Sequence, residues 1–231
     1  MSLGPRRSDQ GLPDDGAPAS AGRLALVLGS ASPGRAEILT RARVPFRTLV
    51  SRVDEAAVGV RAPEASPGAL ALLLAEAKGQ DVAAQVLDEG VQVPTLVVGC
   101  DSVFELDGTA YGKPYEPAVA LERWRLQRGR TGVLHTGQWV GLVGKDGAVD
   151  AVSRRVSAGV SFAEADERTI AAYVATGEPL WCAGAFTVDG AGAALVESVH
   201  GDPNAVIGLS VSTLRAQCEE LGVPFATLWE S

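Results

Sequence analysis

Leu24-Ala-Leu-Val-Leu-Gly-Ser-Ala-Ser-Pro-Gly-Arg35 is the stretch of sequence from which the fold follows. Its first five residues are apolar without interruption, which is typical of a short strand buried in a sheet. A loop of small residues comes next, and the pattern then becomes helical over residues 35–43. This succession of strand, loop and helix predicts a layered α/β fold.

The rest of the chain continues the alternation of strands and helices. Apolar runs predict strands at residues 46–50 and 95–99, and a hairpin at residues 133–143 and 149–162 predicts the sheet of a second lobe. Residues 225–228 predict the last strand. The predicted helices cover residues 66–87, 117–127, 163–175 and 210–221. We therefore expect an elongated, twisted mixed sheet flanked by helices, in two lobes with a central cleft, and ligands at the carboxyl ends of strands.

Composition limits the class of protein. The 231 residues are 46% hydrophobic and 21% charged, which fits one globular domain over residues 23–231. Residues 1–22 are rich in Gly, Pro, Ser and Asp without apolar periodicity, so we expect a disordered leader. The net charge of −8 argues against a nucleic-acid polymer as partner.

The same composition suggests a compartment. No apolar run approaches the roughly 20 residues of a spanning helix, and the N-terminus lacks a secretory pattern. Three scattered cysteines and two histidines argue against a disulfide framework and against a zinc site. We expect a cytoplasmic protein without membrane contact, in which any metal is a hard ion held by carboxylates.

The loop at residues 29–35 has the features of an anion site. It follows a strand and opens a helix, so backbone N–H groups and the hydroxyls of Ser30 and Ser32 can face a phosphate. Arg35 then lies in the first helical turn. The alternative is an ordinary serine cap with a solvated arginine, and no Walker-type Gly-Lys-Ser/Thr loop is present to decide between them.

Charged residues farther along the chain could complete such a site. Asp101 directly follows the predicted strand at 95–99, where it is either a metal ligand or general base, or the cap of a turn. Lys113 returns after a predicted turn toward the same strand end. Lys78 shares a helix face with core leucines, so it either reaches solvent or delivers a cation into the cleft. Glu55 either adds a carboxylate or lies in a surface loop.

Taken together, these motifs resemble those of the Maf family, the septum-formation-associated nucleotide pyrophosphatases, over nearly the whole chain after residue 23. Ser30-Ala-Ser-Pro-Gly-Arg35 resembles that family's Ser-x-Ser-Pro-Arg-Arg, and Gly99-Cys-Asp-Ser102 resembles its Gly-Ala-Asp-Thr. The other matching segments are Val53-Asp-Glu55, Ala75-Glu-Ala-Lys78, Gly112-Lys-Pro114, residues 129–137, residues 173–184 and Asn204-Ala-Val-Ile-Gly208. Each motif is short, but the ordered series is specific.

The resemblance implies an enzyme that hydrolyses the α–β phosphoanhydride of nucleoside triphosphates with Mg²⁺ or Mn²⁺ as cofactor. Asp101 would be the catalytic carboxylate and would hold the metal together with Glu55. The residues implied to bind the substrate are Ser30, Ser32, Gly34, Arg35, Lys78, Ser102, Lys113 and Asp189. Gly34 departs from the family's first Arg and Ser102 from its Thr. Asp189 falls where the dTTP- and UTP-preferring branch tends to carry Gln, so that branch's base preference does not transfer.

Two other functions stay open at this point. One is a nucleotide-binding regulator of cell division that uses the cationic loop without catalysis, although carboxylates beside phosphates argue against it. The other is a house-cleaning enzyme for non-canonical or modified nucleotides. A homodimer is also considered, Cys100 is expected to be a small buried residue, and one of the four tryptophans could stack on a nucleobase.

Overall fold

A computed structural model describes residues 24–230, and within them the strands form one continuous sheet. The predicted leader at residues 1–22 lies outside the described residues. The strands are β1 (Ala25–Gly29), β2 (Arg47–Thr48), β3 (Thr95–Leu106), β4 (Thr109–Tyr111), β5 (Thr131–Val143), β6 (Val149–Phe162) and β7 (Val196–His200). Their order in the sheet is β2-β1-β3-β5-β6-β7, with β4 paired to β3.

Strand directions confirm the prediction of a mixed sheet. β1 runs parallel to both β2 and β3, whereas β3, β5, β6 and β7 are successively antiparallel. The hairpin predicted for a second lobe belongs to this same sheet, because β5 pairs with β3 along almost its whole length. The strand predicted at 46–50 shrinks to two residues, since its register with β1 covers only Arg47 and Thr48.

Helices flank the sheet where apolar periodicity predicts most of them. They are α1 (Pro33–Arg41), α2 (Glu55–Arg61), α3 (Pro67–Glu89), α4 (Pro117–Gln127), α5 (Glu167–Ala175), α6 (Pro203–Ile207) and α7 (Val211–Glu220). Ser32, Ser66 and Ser210 cap α1, α3 and α7 by accepting a backbone N–H bond, which fixes where each helix begins. Among residues 24–230, no helix is both long enough and apolar enough to cross a bilayer.

Two predicted elements differ in the structure. The last strand, predicted at 225–228, is wrong: Phe225–Trp229 is a short 3₁₀ helix that follows Pro224 and packs Phe225 and Leu228 into the core. The helix predicted at 163–175 begins only at Glu167, because Asp166 caps it and the Ala163 N–H bonds to the carbonyl of Leu195. The remaining 3₁₀ helices are Glu178–Trp181, Ala183–Ala185 and Ala191–Leu195.

The two largest hydrophobic clusters lie at opposite ends of the long strands. β3 contributes Leu96 and Val98 to one cluster, together with α1 and α7. It contributes Phe104 and Leu106 to the other, together with α4 and α5. One sheet runs through both clusters.

A gap interrupts one edge of β3 between these clusters. β1 pairs with β3 only as far as Gly29, which lies opposite Gly99, and β4 pairs with it only from Phe104, opposite Tyr111. Within the described chain, residues 100–103 therefore have no strand partner on this edge. Successive side chains of a strand point to opposite faces, so the gap exposes side chains from both faces of the sheet to one opening.

Candidate active site

Asp101 and Ser102 lie in the gap on the edge of β3. The prediction that Asp101 follows the end of its strand is wrong, because β3 continues to Leu106 and Asp101 pairs with Gly137 of β5. The loop after β1 does follow a strand end, as predicted. The gap thus places the loop at residues 29–35, called the Ser30 loop below, beside the middle of β3.

Helix α3 lies directly on the sheet and carries a lysine to Asp101. A Cβ atom at Gly99 would lie 2.6 Å from the Cα of Gly79, so the two backbones touch only because residue 99 is glycine. Gly99 and Asp101 are two residues apart on β3 and share the face that α3 covers. Lys78 precedes Gly79, and its ammonium donates to the Asp101 carboxylate.

Lys78 joins two carboxylates. Its Nζ also lies 2.7 Å from Oε1 of Glu55, the first residue of α2, whose N-cap is Asp54. The sequence alone left Glu55 open as a surface-loop residue, whereas the structure places it at a helix start facing the cavity. Only 13% of the Lys78 side chain and 11% of the Asp101 side chain are exposed, so this pair is largely desolvated.

The charges around Glu55 act on its ionisation. Burial raises the pKa of Glu55, but the hydrogen bond and charge of Lys78, with the charges of Lys113 and Arg35, outweigh burial and hold that pKa below its usual value. Glu55 is therefore a carboxylate at neutral pH.

Arg35 is held by neutral acceptors. Its Nε donates to the Gly208 carbonyl at 2.9 Å, Nη1 to Ser30 Oγ at 3.0 Å and Nη2 to Ser102 Oγ at 3.2 Å. Ser32 caps the helix that carries it, accepting from the Arg35 N–H at 3.5 Å. A guanidinium has about five N–H donors, so about two stay available for a ligand. No ion pair joins Arg35 to a carboxylate in the described part of the chain.

Thr136 is a site residue that sequence reasoning did not single out. The Thr136 hydroxyl donates a hydrogen bond to the Ala205 carbonyl at 2.7 Å. Because its proton is used there, Thr136 is the acceptor in the 2.9 Å hydrogen bond with the Ser102 hydroxyl. Ser102 in turn accepts from Arg35. Thr136 is fully buried and lies in the segment that resembles a family motif, which was the available signal.

Lys113 reaches the cavity from the loop after β4. The carbonyl of Gly112 accepts from the Gly184 N–H at 3.3 Å and from the Arg123 guanidinium, which fixes this loop against the 3₁₀ region. No carboxylate lies within ion-pair distance of Lys113 among residues 24–230. Lys113 is therefore a second cation available to an anion.

Gly34 and Asp189, two residues that depart from the family pattern, are neighbours beside the Ser30 loop. A Cβ at Gly34 would lie 2.9 Å from Cγ2 of Ile207 and 3.7 Å from Oδ2 of Asp189. Asp189 is exposed and accepts the Thr187 hydroxyl. The two departures are thus neighbours in space rather than independent changes.

Glu178 is the other residue that sequence reasoning missed. Its carboxylate accepts from the backbone N–H groups of Ala191 and Gly192, each at 2.9 Å, and from the Tyr173 hydroxyl at 2.9 Å. It thereby fixes the segment that carries Asp189. Its position in the Gly-Glu-Pro motif was visible in the sequence, but its partners lie 13 and 14 residues away.

One cavity of about 970 Å³ brings the predicted residues together. Sites for small molecules and cofactors commonly have volumes of about 300–1,000 Å³. All of the residues that the sequence singled out for the site line it: Ser30, Ser32, Gly34, Arg35, Glu55, Lys78, Asp101, Ser102, Lys113 and Asp189. Cys100 does not; it is fully buried, and burial raises the pKa of its thiol to about 11, so it is no nucleophile at neutral pH.

The carboxylates of Glu55 and Asp101 can hold a metal ion only if phosphate oxygens or water supply the rest of its coordination shell. In residues 24–230 no group of three or more His, Cys, Asp or Glu side chains could hold an ion by itself. Glu55 and Asp101 both accept from the Lys78 ammonium, so they converge on one place. Mg²⁺ is commonly bound by one or two carboxylates plus phosphate oxygens and water, and these two residues fit that donor set.

Comparison with known proteins identifies related chains. Residues 25–221 match the family model described as Maf-like protein. A relative from Leifsonia xyli subsp. xyli is 44% identical over 89% of this chain and 97% of its own length. Relatives from Salinispora tropica and Streptomyces coelicolor are each 46% identical, over 89% and 90% of this chain and 88% and 95% of their own. All three are named nucleoside triphosphate pyrophosphatase.

Proposed function

The chain belongs to the Maf family, and from that premise we propose that it is a nucleoside triphosphate pyrophosphatase, as its relatives are named. The reaction is hydrolysis of the α–β phosphoanhydride. Water attacks the α-phosphorus, the bond to the bridging oxygen breaks, and nucleoside monophosphate and pyrophosphate are released. The water proton passes to a carboxylate and then to solvent.

One observation supports this proposal most strongly: unpaired cations and paired carboxylates share one cavity. Arg35 and Lys113 are free of carboxylate partners within residues 24–230, so their charge is available to phosphate oxygens. Phosphoryl transfer depends largely on positioning and on stabilising the charge of the phosphates, which such cations provide. The hydroxyls of Ser30 and Ser32 and the N-terminus of α1 add hydrogen-bond donors on the same side.

Asp101 is the residue to which we assign proton transfer. It is nearly buried, lies in the cavity and is held by Lys78, which fixes the orientation of its carboxylate. Glu55 and Asp101 would hold Mg²⁺ or Mn²⁺. Such an ion, when bound, supplies a Lewis acid that polarises phosphate oxygens and lowers the pKa of bound water. Lys78 links the two carboxylates and contributes positive charge near the leaving pyrophosphate.

The Asp101→Asn variant tests this assignment. It keeps the size of the side chain but removes proton acceptance, so we expect nucleotide binding near the wild-type value and pyrophosphate release reduced at least about 100-fold. Pyrophosphate release with Mg²⁺ and equilibrium binding of nucleoside monophosphate are measured on the same preparation.

Glu105→Gln is the matched control. Glu105 lies on the same strand, is partly buried and bonds His135 at 2.9 Å outside the cavity. Its variant should keep wild-type turnover. Wild-type turnover in Asp101→Asn would remove Asp101 from the catalytic role, and binding without any turnover by the wild-type protein would favour a nucleotide-binding regulator.

The proposed function also includes a proposal about which residues determine the preferred base. Gly34 and Asp189 adjoin each other at the cavity wall, and both depart from the family pattern. We infer that this pair, rather than the Lys78 cluster, sets which base or modified nucleotide is preferred. Turnover over a panel of ordinary and modified nucleoside triphosphates, compared between wild type and Asp189→Asn, measures that preference; an unchanged ranking would exclude Asp189 from it.

A further inference from the structure

Two large aromatic side chains stand exposed on the wall of the cavity. Tyr115 is 56% exposed and Trp181 is 66% exposed, and both line it. Their ring centroids are 5.7 Å apart with an angle of 76° between the planes. By contrast, Trp124 and Trp139 are buried in the core. An aromatic pair exposed to solvent lacks the stabilisation that burial gives, so the exposure of these two rings needs an explanation.

The main chain holds the two rings in place. Tyr115 has φ of 62°, a left-handed conformation that a non-glycine residue adopts at a cost in free energy. Its N–H donates to the carbonyl of Leu180 at 3.0 Å, and Leu180 adjoins Trp181 in the 3₁₀ helix Glu178–Trp181. The strained residue is thus fixed against the segment that carries its partner ring.

The pair lines the same cavity as the carboxylates and the cations. Lys113 is two residues before Tyr115, a separation of at most about 7 Å along the chain. The charge of Lys113 acts both on Glu55 and on Cys182, the neighbour of Trp181. Lys113 therefore lies near the carboxylate cluster and near the aromatic pair.

A nucleotide likewise joins an anionic phosphate chain to a flat aromatic base. We propose that Trp181 and Tyr115 form a stacking platform for the nucleobase while Arg35, Lys78 and Lys113 bind the phosphates. The inference rests on the proposed function and adds to it where the base is bound. Every nucleobase has a π-face, so a platform of this kind binds purines and pyrimidines alike and leaves discrimination to polar groups such as Asp189.

Trp181→Ala and Tyr115→Ala test the platform. Losing one stacked ring is expected to raise the KM for nucleoside triphosphates, and the Kd for the nucleoside monophosphate product, about tenfold or more. The kcat should stay near wild type, because the phosphate end is untouched. Inorganic tripolyphosphate has no base, so its inhibition constant should not change.

Two further variants control for folding and for tryptophan loss in general. Trp181→Phe keeps a stacking ring and should restore most of the affinity. Trp229→Ala removes a tryptophan that is 59% exposed and does not line the cavity, so its KM should equal that of the wild type. Thermal unfolding of each variant shows that the fold is retained.

The outcomes separate the platform from the proposed function. An unchanged KM and Kd in Trp181→Ala, or an equal weakening of tripolyphosphate and nucleotide, would overturn the platform and leave the pyrophosphatase standing. Absence of pyrophosphate release by the wild-type protein would overturn the proposed function. The Kd for nucleoside monophosphate still tests the platform in that case, because its measurement needs no turnover.

Discussion

At the scale of single residues, the cations of the site are of two kinds: Lys78 is paired with carboxylates, whereas Arg35 has no carboxylate partner within residues 24–230. Lys78 is bonded to Asp101 and Glu55, so a triphosphate that enters the cavity competes with carboxylates for it. Within residues 24–230, Arg35 is bonded only to neutral oxygens, so no carboxylate competes with a phosphate for it there. The loop after β1 is therefore expected to meet the phosphates first.

The ionisation of Glu55 leads to a pH prediction. Its pKa in the folded protein lies below the usual 4.5, so its interactions stabilise the fold above about pH 4.5 and are lost as the pH falls through the lower folded value. Glu55 is half exposed, so the difference in unfolding free energy between wild type and Glu55→Gln should be no more than about 1 kcal/mol.

Urea unfolding of both proteins in metal-free buffer between pH 7 and pH 3 measures this difference. It should be constant down to about pH 5 and shrink below pH 4. A difference that grows on acidification would mean that Glu55 is destabilised by its surroundings, contrary to the contacts with Lys78.

These residues also show how much of the site could be predicted from the sequence. Ser30, Ser32 and Arg35 could be predicted because a strand, a loop and a helix cap are local features. Thr136 and Glu178 lie in segments that resemble family motifs, but their roles could not be predicted, because their partners Ala205 and Ala191 approach them only in the folded chain.

At the scale of elements, the contact of α3 with the sheet positions the chemistry. A Cβ atom at Gly79 would lie 2.2 Å from Cε3 of Trp139, so Gly79→Ala must move either the ring or the helix. Overpacking of this kind costs about 1–3 kcal/mol. Because Lys78 adjoins Gly79, we expect kcat/KM to fall at least about tenfold even below the melting temperature of the variant.

Gly59→Ala is the control for that substitution. Gly59 lies within α2, and nothing lies within 4 Å of a Cβ atom there, so alanine should stabilise the protein by about 0.5–1 kcal/mol. Calorimetric unfolding and pyrophosphate release are measured for both. Wild-type stability and activity in Gly79→Ala would show that α3 does not need to touch the sheet.

The gap in β3 explains the largest error in the prediction of elements. Apolar residues at 95–99 predict a strand that ends before Asp101, but Val103, Phe104 and Leu106 continue the buried pattern beyond it. Where β1 stops depends on pairing between segments 70 residues apart, such as Ala25 with Thr95. Local periodicity does not contain that information, so the site was predicted at a strand end and lies inside a strand.

At the scale of the whole molecule, one sheet joins both hydrophobic clusters. β3 and β5 run through the two clusters and pair along almost their full length. We therefore expect residues 24–230 to unfold in a single cooperative transition, with far-ultraviolet circular dichroism and tryptophan fluorescence giving the same urea midpoint. Two separated midpoints would mean that the lobes are independent folding units.

Assembly and compartment stay predictions. The expected homodimer is tested by light scattering of the purified protein, where a mass of twice 23.8 kDa supports it and a mass of 23.8 kDa contradicts it. The cytoplasmic location and the choice between Mg²⁺ and Mn²⁺ likewise await measurement.

Hydrolysis in ¹⁸O-labelled water tests the central proposal most directly. Wild-type protein is incubated with a nucleoside triphosphate and Mg²⁺, and the products are followed by ³¹P NMR. We expect nucleoside monophosphate and pyrophosphate, with one ¹⁸O atom in the phosphate of the monophosphate, because water attacks the α-phosphorus. Nucleoside diphosphate with inorganic phosphate, label in the pyrophosphate, or no hydrolysis would contradict the proposed reaction.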